Sequence, residues 1–228
     1  MSLLLVIDTS GEKAFVALSN DGKIMIKRDN VVQNQHASFI HIAIKELFET
    51  AGIPMDSIAA IAVLNGPGSY TGLRVGLATA KGICYTLDKP LILLNTLHLM
   101  AIAIGIKYIK EAKVNGDELI CPMIDARRAE VYITIYDMEY KQLLPFTNWI
   151  VGENSFDDYL QKGSLVFGGN ACNKVADIIK KDNCIYYPDI EYAEEACIEA
   201  QKQFDNKNFS SVAYSEPYYL KEFYSNKG

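Results

Sequence analysis

Apolar residues first gather in a run of strand length at 3–8, then alternate with polar ones over 14–19 and over 23–28, with the turn Asn20-Asp21-Gly22 between the last two. A period of two over such lengths predicts β-strands, so the chain opens on a three-stranded meander. Over 35–51 the spacing becomes helical, with Phe39, Ile40, Ala43, Ile44, Leu47, Phe48 and Ala51 recurring every three to four residues, and Gly52 and Pro54 act as stop signals. A continuous apolar run at 58–64 predicts a buried strand. A helix over 73–87 ends at Asp88-Lys89-Pro90, a strand covers 91–94 and a helix covers 96–112. The expected order is β-β-β-α-β-α-β-α.

The second half opens the same way. Strands are expected at 119–125 and 130–137, with a weaker third around Trp149. They are followed by a helix at 155–161, a strand at 165–167, a helix at 173–181, a short strand at 184–187 and a helix at 191–204. Asp8 and Asp125 each close the first strand of a half. The repeated order predicts an α/β chain of two similar lobes facing each other. The polar turn Val114-Asn115-Gly116-Asp117 divides them into 1–113 and 114–228, with the last segment a candidate for packing back on the first lobe.

The 228 residues are 50% hydrophobic and 22% charged, which suffices for real cores and excludes disorder as the main reading. A net charge of −6 leaves no strongly cationic surface to hold a nucleic-acid backbone unaided. No apolar run approaches the roughly 20 residues of a membrane-spanning helix, and the opening Met1 to Asp8 reads as a strand rather than a signal peptide. Five cysteines, an odd number without a CxxC pair, fit a reduced cytoplasmic compartment in which each is a small buried hydrophobe.

Four stretches carry candidate chemistry. Gly66-Pro67-Gly68-Ser69-Tyr70-Thr71-Gly72-Leu73-Arg74-Val75-Gly76 joins a strand to a helix, either as an anion site at a helix N-terminus or as a tight turn with close backbone packing. It is neither a P-loop nor a dinucleotide fingerprint. Arg74 is a candidate for a ligand oxyanion, an acidic neighbour or a partner protein. Asp8-Thr9-Ser10 suits magnesium and phosphate contacts or an Asx-type turn, and Gly168-Gly169 forms a second glycine turn in the matching place. Asp125-Ala126-Arg127-Arg128-Ala129-Glu130 is a charged turn suited to an anion, a tRNA phosphate, an interface or an internal ion pair. His36 and His41, about 140° apart on a helix, make no i, i+4 metal pair, and no nucleophile elbow is present.

The glycine run, with Ala80-Lys81-Gly82, closely resembles the signature of the bacterial TsaB (YeaZ) family. So do Ile7-Asp8-Thr9-Ser10, the turn at Asp125 running on to Val131-Tyr132, and Glu216-Pro217-Tyr218-Tyr219-Leu220-Lys221. The resemblance implies the actin-like (ASKHA, ribonuclease-H-like) two-lobed fold. It also implies a role in forming N6-threonylcarbamoyladenosine (t6A) at adenosine 37 of tRNAs that read codons starting with A, as a non-catalytic partner of TsaD, with TsaE assisting. Where TsaD-type proteins carry metal-binding histidines in Asn-His-x-x-x-His, this chain reads Asn95-Thr96-Leu97-His98-Leu99-Met100, so no metal centre is expected.

The resemblance further implies that the helices at 35–50 and 73–87 pair with those of TsaD, and that the same face forms a homodimer when the chain is alone. The interface residues expected on that basis are Phe39, Ile40, Ala43, Ile44, Leu47, Arg74, Gly76, Leu77, Ala80 and Ile83. Asp8, Thr9, Ser10, Gly168 and Gly169 would form a degenerate nucleotide site, leaving weak ATP or ADP binding open. Contact with tRNA is expected mainly through the complex, with no membrane partner. The alternative is an ATP-dependent small-molecule kinase or acyl-transfer enzyme of the same fold.

Overall fold

The computed structural model describes residues 2–31, 36–111 and 116–220. By its internal contacts the chain divides into two compact units, one made of Met1–Leu99 with Tyr192–Tyr218 and the other of Met100–Glu191 with Tyr219–Gly228. The boundary expected at 113/114 falls among residues outside the described ones. The observed division lies within a helix, and the stretch Tyr192–Tyr218 belongs to the first unit.

In the first unit β1 (Leu3–Asp8), β2 (Ala14–Asn20), β3 (Lys23–Asn30), β4 (Ala60–Gly66) and β5 (Leu91–Asn95) form one sheet in the order β3-β2-β1-β4-β5. β1 runs antiparallel to β2 and parallel to β4, and β4 is parallel to β5. The central strand is apolar from Leu3 to Ile7 because both of its faces are covered. Leu5 and Ile7 pack with α1 (His36–Ala51) and α2 (Tyr70–Leu87), while Leu4 and Val6 pack with Leu99 and with α6 (Ala193–Asp205). α2 begins at Tyr70, three residues before the apolar spacing announces it, because the Ser69 hydroxyl accepts the Gly72 N–H and caps it.

The second unit repeats this topology. β6 (Leu119–Asp125), β7 (Glu130–Asp137), β8 (Gln142–Ile150), β9 (Leu165–Gly168) and β10 (Cys184–Tyr187) lie in the order β10-β9-β6-β7-β8. β6 is antiparallel to β7 and parallel to β9, as β1 is to β2 and β4. The weak signal around Trp149 is a nine-residue strand, and the helix expected at 155–161 shrinks to α4 (Asp157–Leu160). α4 and α5 (Cys172–Ile178) cover one face of the sheet around Phe156 and Phe167. α3 (Thr96–Glu111) starts in the first unit and ends in the second. Residues 35 and 112, expected as helix ends, lie outside the described ones.

All five cysteines are unpaired thiols, four of them buried, and burial pushes Cys84, Cys172 and Cys197 up to about 12. They are inert apolar fillers. Among the described residues no helix is long and apolar enough to cross a membrane.

Candidate functional site

The end of β1 and the glycine loop before α2 fit into each other. Ser69 N–H donates to the Ser10 carbonyl at 2.7 Å, and the Thr9 hydroxyl donates to the Gly72 carbonyl at 2.6 Å. A Cβ on Gly68 would overlap the Ser10 carbonyl, on Gly72 the Thr9 carbonyl, and on Gly76 the Thr9 hydroxyl. The glycine spacing therefore serves close packing against β1.

Asp8 is 1% exposed, and both of its oxygens are engaged. Oδ1 accepts from the Ser10 N–H at 2.7 Å and the Ser10 hydroxyl at 2.6 Å, and Oδ2 accepts from the Tyr192 hydroxyl at 3.0 Å. Burial pushes the Asp8 carboxyl above its ordinary range against the opposing pull of these donors, and pushes the Tyr192 phenol well up. This carboxylate is a poor fit to the nucleotide-bound cation that an actin-like fold implies, since it is buried and already accepts three hydrogen bonds. Gly168 and Gly169 are likewise explained within their own unit. A Cβ on Gly168 would strike Ile104 of α3, and one on Gly169, whose φ is +116°, the Met123 carbonyl. Of the residues expected at a degenerate nucleotide site, Asp8, Thr9 and Ser10 lie in the first unit and Gly168 and Gly169 in the second, and each set is packed within its own unit.

At the start of α3, Asn95 Oδ1 accepts the His98 N–H at 3.0 Å and so caps the helix. Thr96 and Met100, which occupy the positions of the expected imidazoles, are buried, and the Thr96 hydroxyl has no hydrogen-bond partner among the described residues. Burial lowers the His98 imidazole below its ordinary value. Among the described residues no three His, Cys, Asp or Glu side chains come together as metal ligands.

The interface expected on α1 and α2 needs a larger correction. Ile40, Ala43, Ile44, Leu47, Gly76, Leu77 and Ala80 are buried in the first unit itself, six of them in its core against the sheet. Phe39 and Ile83 are half-buried against that core, and only Arg74 stands exposed, its guanidinium 4.1 Å from the centre of the Tyr70 ring. The outer surface of the two helices is carried by other residues. Ile42 is 61% and Tyr85 86% exposed, Thr71, Ala78 and Gly82 are exposed too, and a Cβ on Gly82 would meet nothing. The helical spacing of α1 could have separated Ile42 from the inward Ile40, since two residues on a helix face about 200° apart. A long side chain such as Tyr85 gave no such signal.

Residues 30–158, more than half of the chain, match the model of a family described as TsaD, tRNA N6-adenosine threonylcarbamoyltransferase. A Bacillus subtilis protein named tRNA threonylcarbamoyladenosine biosynthesis protein TsaB is 29% identical over 156 residues, covering 66% of this chain and 63% of that protein. The Escherichia coli protein of the same name is 33% identical over 136 residues, covering 60% and 55%. The chain thus spans less than two thirds of the length of these curated relatives. The solved structure of YeaZ from Pseudomonas aeruginosa is similar across 96% of this chain and 100% of that one, with a TM-score of 0.76 at 24% identity, which gives the actin-like α/β fold. On this match, with the duplicated topology beneath it, the chain belongs to the TsaD family as that model defines it, in its TsaB (YeaZ) branch.

Proposed function

We propose that the chain is a non-catalytic subunit of a cytoplasmic assembly that forms t6A at adenosine 37 of tRNA, acting by binding and supporting a threonylcarbamoyltransferase of the TsaD type. The observation that carries this reading is the start of α3. At the two places where a transferase would need imidazoles stand a buried threonine and a buried methionine, and neither side chain substitutes for a nitrogen ligand of iron or zinc. The binding half of the reading is supported by the outer surface of α1 and α2, where Ile42 and Tyr85 are large and exposed and where Thr71, Ala78 and Gly82 of α2 are small and exposed. The same surface would serve a homodimer in the absence of the transferase. TsaE would join as a third component, and tRNA would be held mainly by the complex.

The kinase or acyl-transfer alternative needs a carboxylate free to hold a cation, and Asp8 is buried with both oxygens bonded to Ser10 or Tyr192. The test of the binding half uses substitutions on the outward side. Ile42→Glu and Ala78→Arg are expected to abolish co-elution with the co-expressed transferase on a sizing column while circular dichroism stays unchanged. Undiminished co-elution of both variants would overturn this use of the surface. Ile40 and Ala80, both buried, are unsuitable probes because a charge there would unfold the unit.

A further inference from the structure

The hairpin joining β6 to β7 has two features that work against stability. Arg127 and Arg128 are consecutive residues with φ of +70° and +54°, in the left-handed region that arginine rarely adopts. The turn is closed by the Ala126 N–H on the Glu130 carbonyl and the Glu130 N–H on the Arg127 carbonyl, each at 3.2 Å. Both arginines are exposed at the tip. An Asn or Gly in their place would relax the backbone, so the side chains themselves are what the strained turn retains.

The carboxylates that flank the tip are turned to other work. Asp125 Oδ1 accepts the Arg127 backbone N–H at 2.7 Å and the Lys174 ammonium at 2.8 Å, and Lys174 also donates to the Glu130 carbonyl at 2.8 Å. The Asp125 N–H is held by Asn170 Oδ1 at 2.9 Å, and Glu130 Oε2 accepts from Asn148 at 2.6 Å. Among the described residues neither guanidinium of Arg127 or Arg128 has an ion-pair or hydrogen-bond partner. In a chain of net charge −6, the exposed Asp125 is bonded to Lys174 and to the Arg127 backbone, and the half-buried Glu130 to Asn148, while the two neighbouring arginine side chains are exposed at the tip.

We propose that the Arg127–Arg128 tip is a contact site for the phosphodiester backbone of an RNA. Planar forks match phosphate oxygens, and two neighbouring cations suit a ligand with charge repeated along a chain. The RNA is chosen over an acidic protein on the reading that this chain serves a tRNA-modifying assembly, and the inference rests on that reading. The tip supplies local contact and orientation, and an acidic protein with one basic prong binds RNA weakly by itself.

The test measures binding of a fluorescently labelled, unmodified tRNA transcript, across a salt series, to the full chain alone and to the chain co-purified with its transferase. It compares wild type with Arg127→Asn/Arg128→Gly. The substitution is expected to raise the melting temperature, because the turn relaxes, while lowering affinity for the transcript about tenfold at low salt and reducing the salt slope by about 2. Loss of affinity by the chain alone supports the inference whether or not a complex with the transferase forms, so failure of complex formation by wild type counts only against the proposed function. Unchanged affinity in both preparations overturns the inference. So does a variant that keeps its RNA affinity but no longer co-elutes with the transferase, since the tip would then meet protein carboxylates.

Discussion

The Tyr192 hydroxyl donates to Asp8 Oδ2 at 3.0 Å, fastening the residue that precedes α6 to the end of β1, 184 positions earlier in the chain. The bond closes the first unit at the point where the chain returns to it. Removing the phenol oxygen leaves a buried carboxylate one donor short. Tyr192→Phe should cost about 1.5–3 kcal/mol, read as a lower urea midpoint, because the acceptor is desolvated and ionisable. A midpoint equal to that of wild type would mean that solvent reaches Asp8.

The same carboxylate gives a pH dependence with a definite sign. Burial raises the folded-state value of Asp8 above the ordinary 3.8. The native state therefore binds the proton more tightly than the unfolded chain does. Its contribution to stability is full below about 3.8 and is lost as pH rises through the raised folded value. Asn at this position keeps a carbonyl for Ser10 and an amide for Tyr192 without the charge. The stability of Asp8→Asn relative to wild type should therefore improve as pH rises from about 4 toward neutrality. Urea titrations across that range check this, and a relative stability that falls with pH would contradict it.

The glycines of α2 divide by what a side chain would meet. Gly72→Ala and Gly76→Ala should each cost about 1–3 kcal/mol or more, because the methyl group meets the Thr9 carbonyl or hydroxyl in a packed core. Gly82→Ala should gain roughly 0.5–1 kcal/mol from helix propensity in open space. Thermal melts of the three variants decide between packing and anion binding as the reason for the glycine run, since only packing predicts opposite signs.

Lys81 reaches from α2 to the carbonyls of Ala213 and Ser215, each at 3.1 Å, and the Tyr218 N–H donates to the Asn65 carbonyl at 2.7 Å. These bonds hold the segment after α6 against the first unit. Lys81→Met should speed chymotryptic cleavage at Tyr214 and Tyr218, followed by mass spectrometry, with little change in the global melt. Equal cleavage rates would assign the hold to the backbone bonds alone.

The duplicated strand order was readable because buried strands are apolar runs and the meanders alternate. Fold class needed no tertiary knowledge. β8 was faint because its residues are half-buried or exposed along most of its length, which blurs a period of two. The return of α6 to the first unit had no local signature, since Ala196, Cys197 and Ala200 read only as an apolar stripe that any sheet face would accept. On α1 the excess of apolar residues was visible, but Ile40 faces the core and Ile42 faces out, so naming the interface required the helix to be seated on its sheet. The glycine run left packing and anion binding open, and only the position of Thr9 and Ser10 beneath it separated them.

The central claim is that this chain supports a transferase without performing the transfer. The direct measurement is t6A formed on an unmodified tRNA substrate, quantified by nucleoside mass spectrometry, in reactions supplied with threonylcarbamoyl-adenylate. The transferase from the same source would be assayed alone, this chain alone, and the two together. The account predicts no product from this chain alone, little from the transferase alone, and a large gain from the pair that Ile42→Glu removes. Product formed by this chain in the absence of the transferase, or a transferase whose yield is indifferent to the chain, would contradict it.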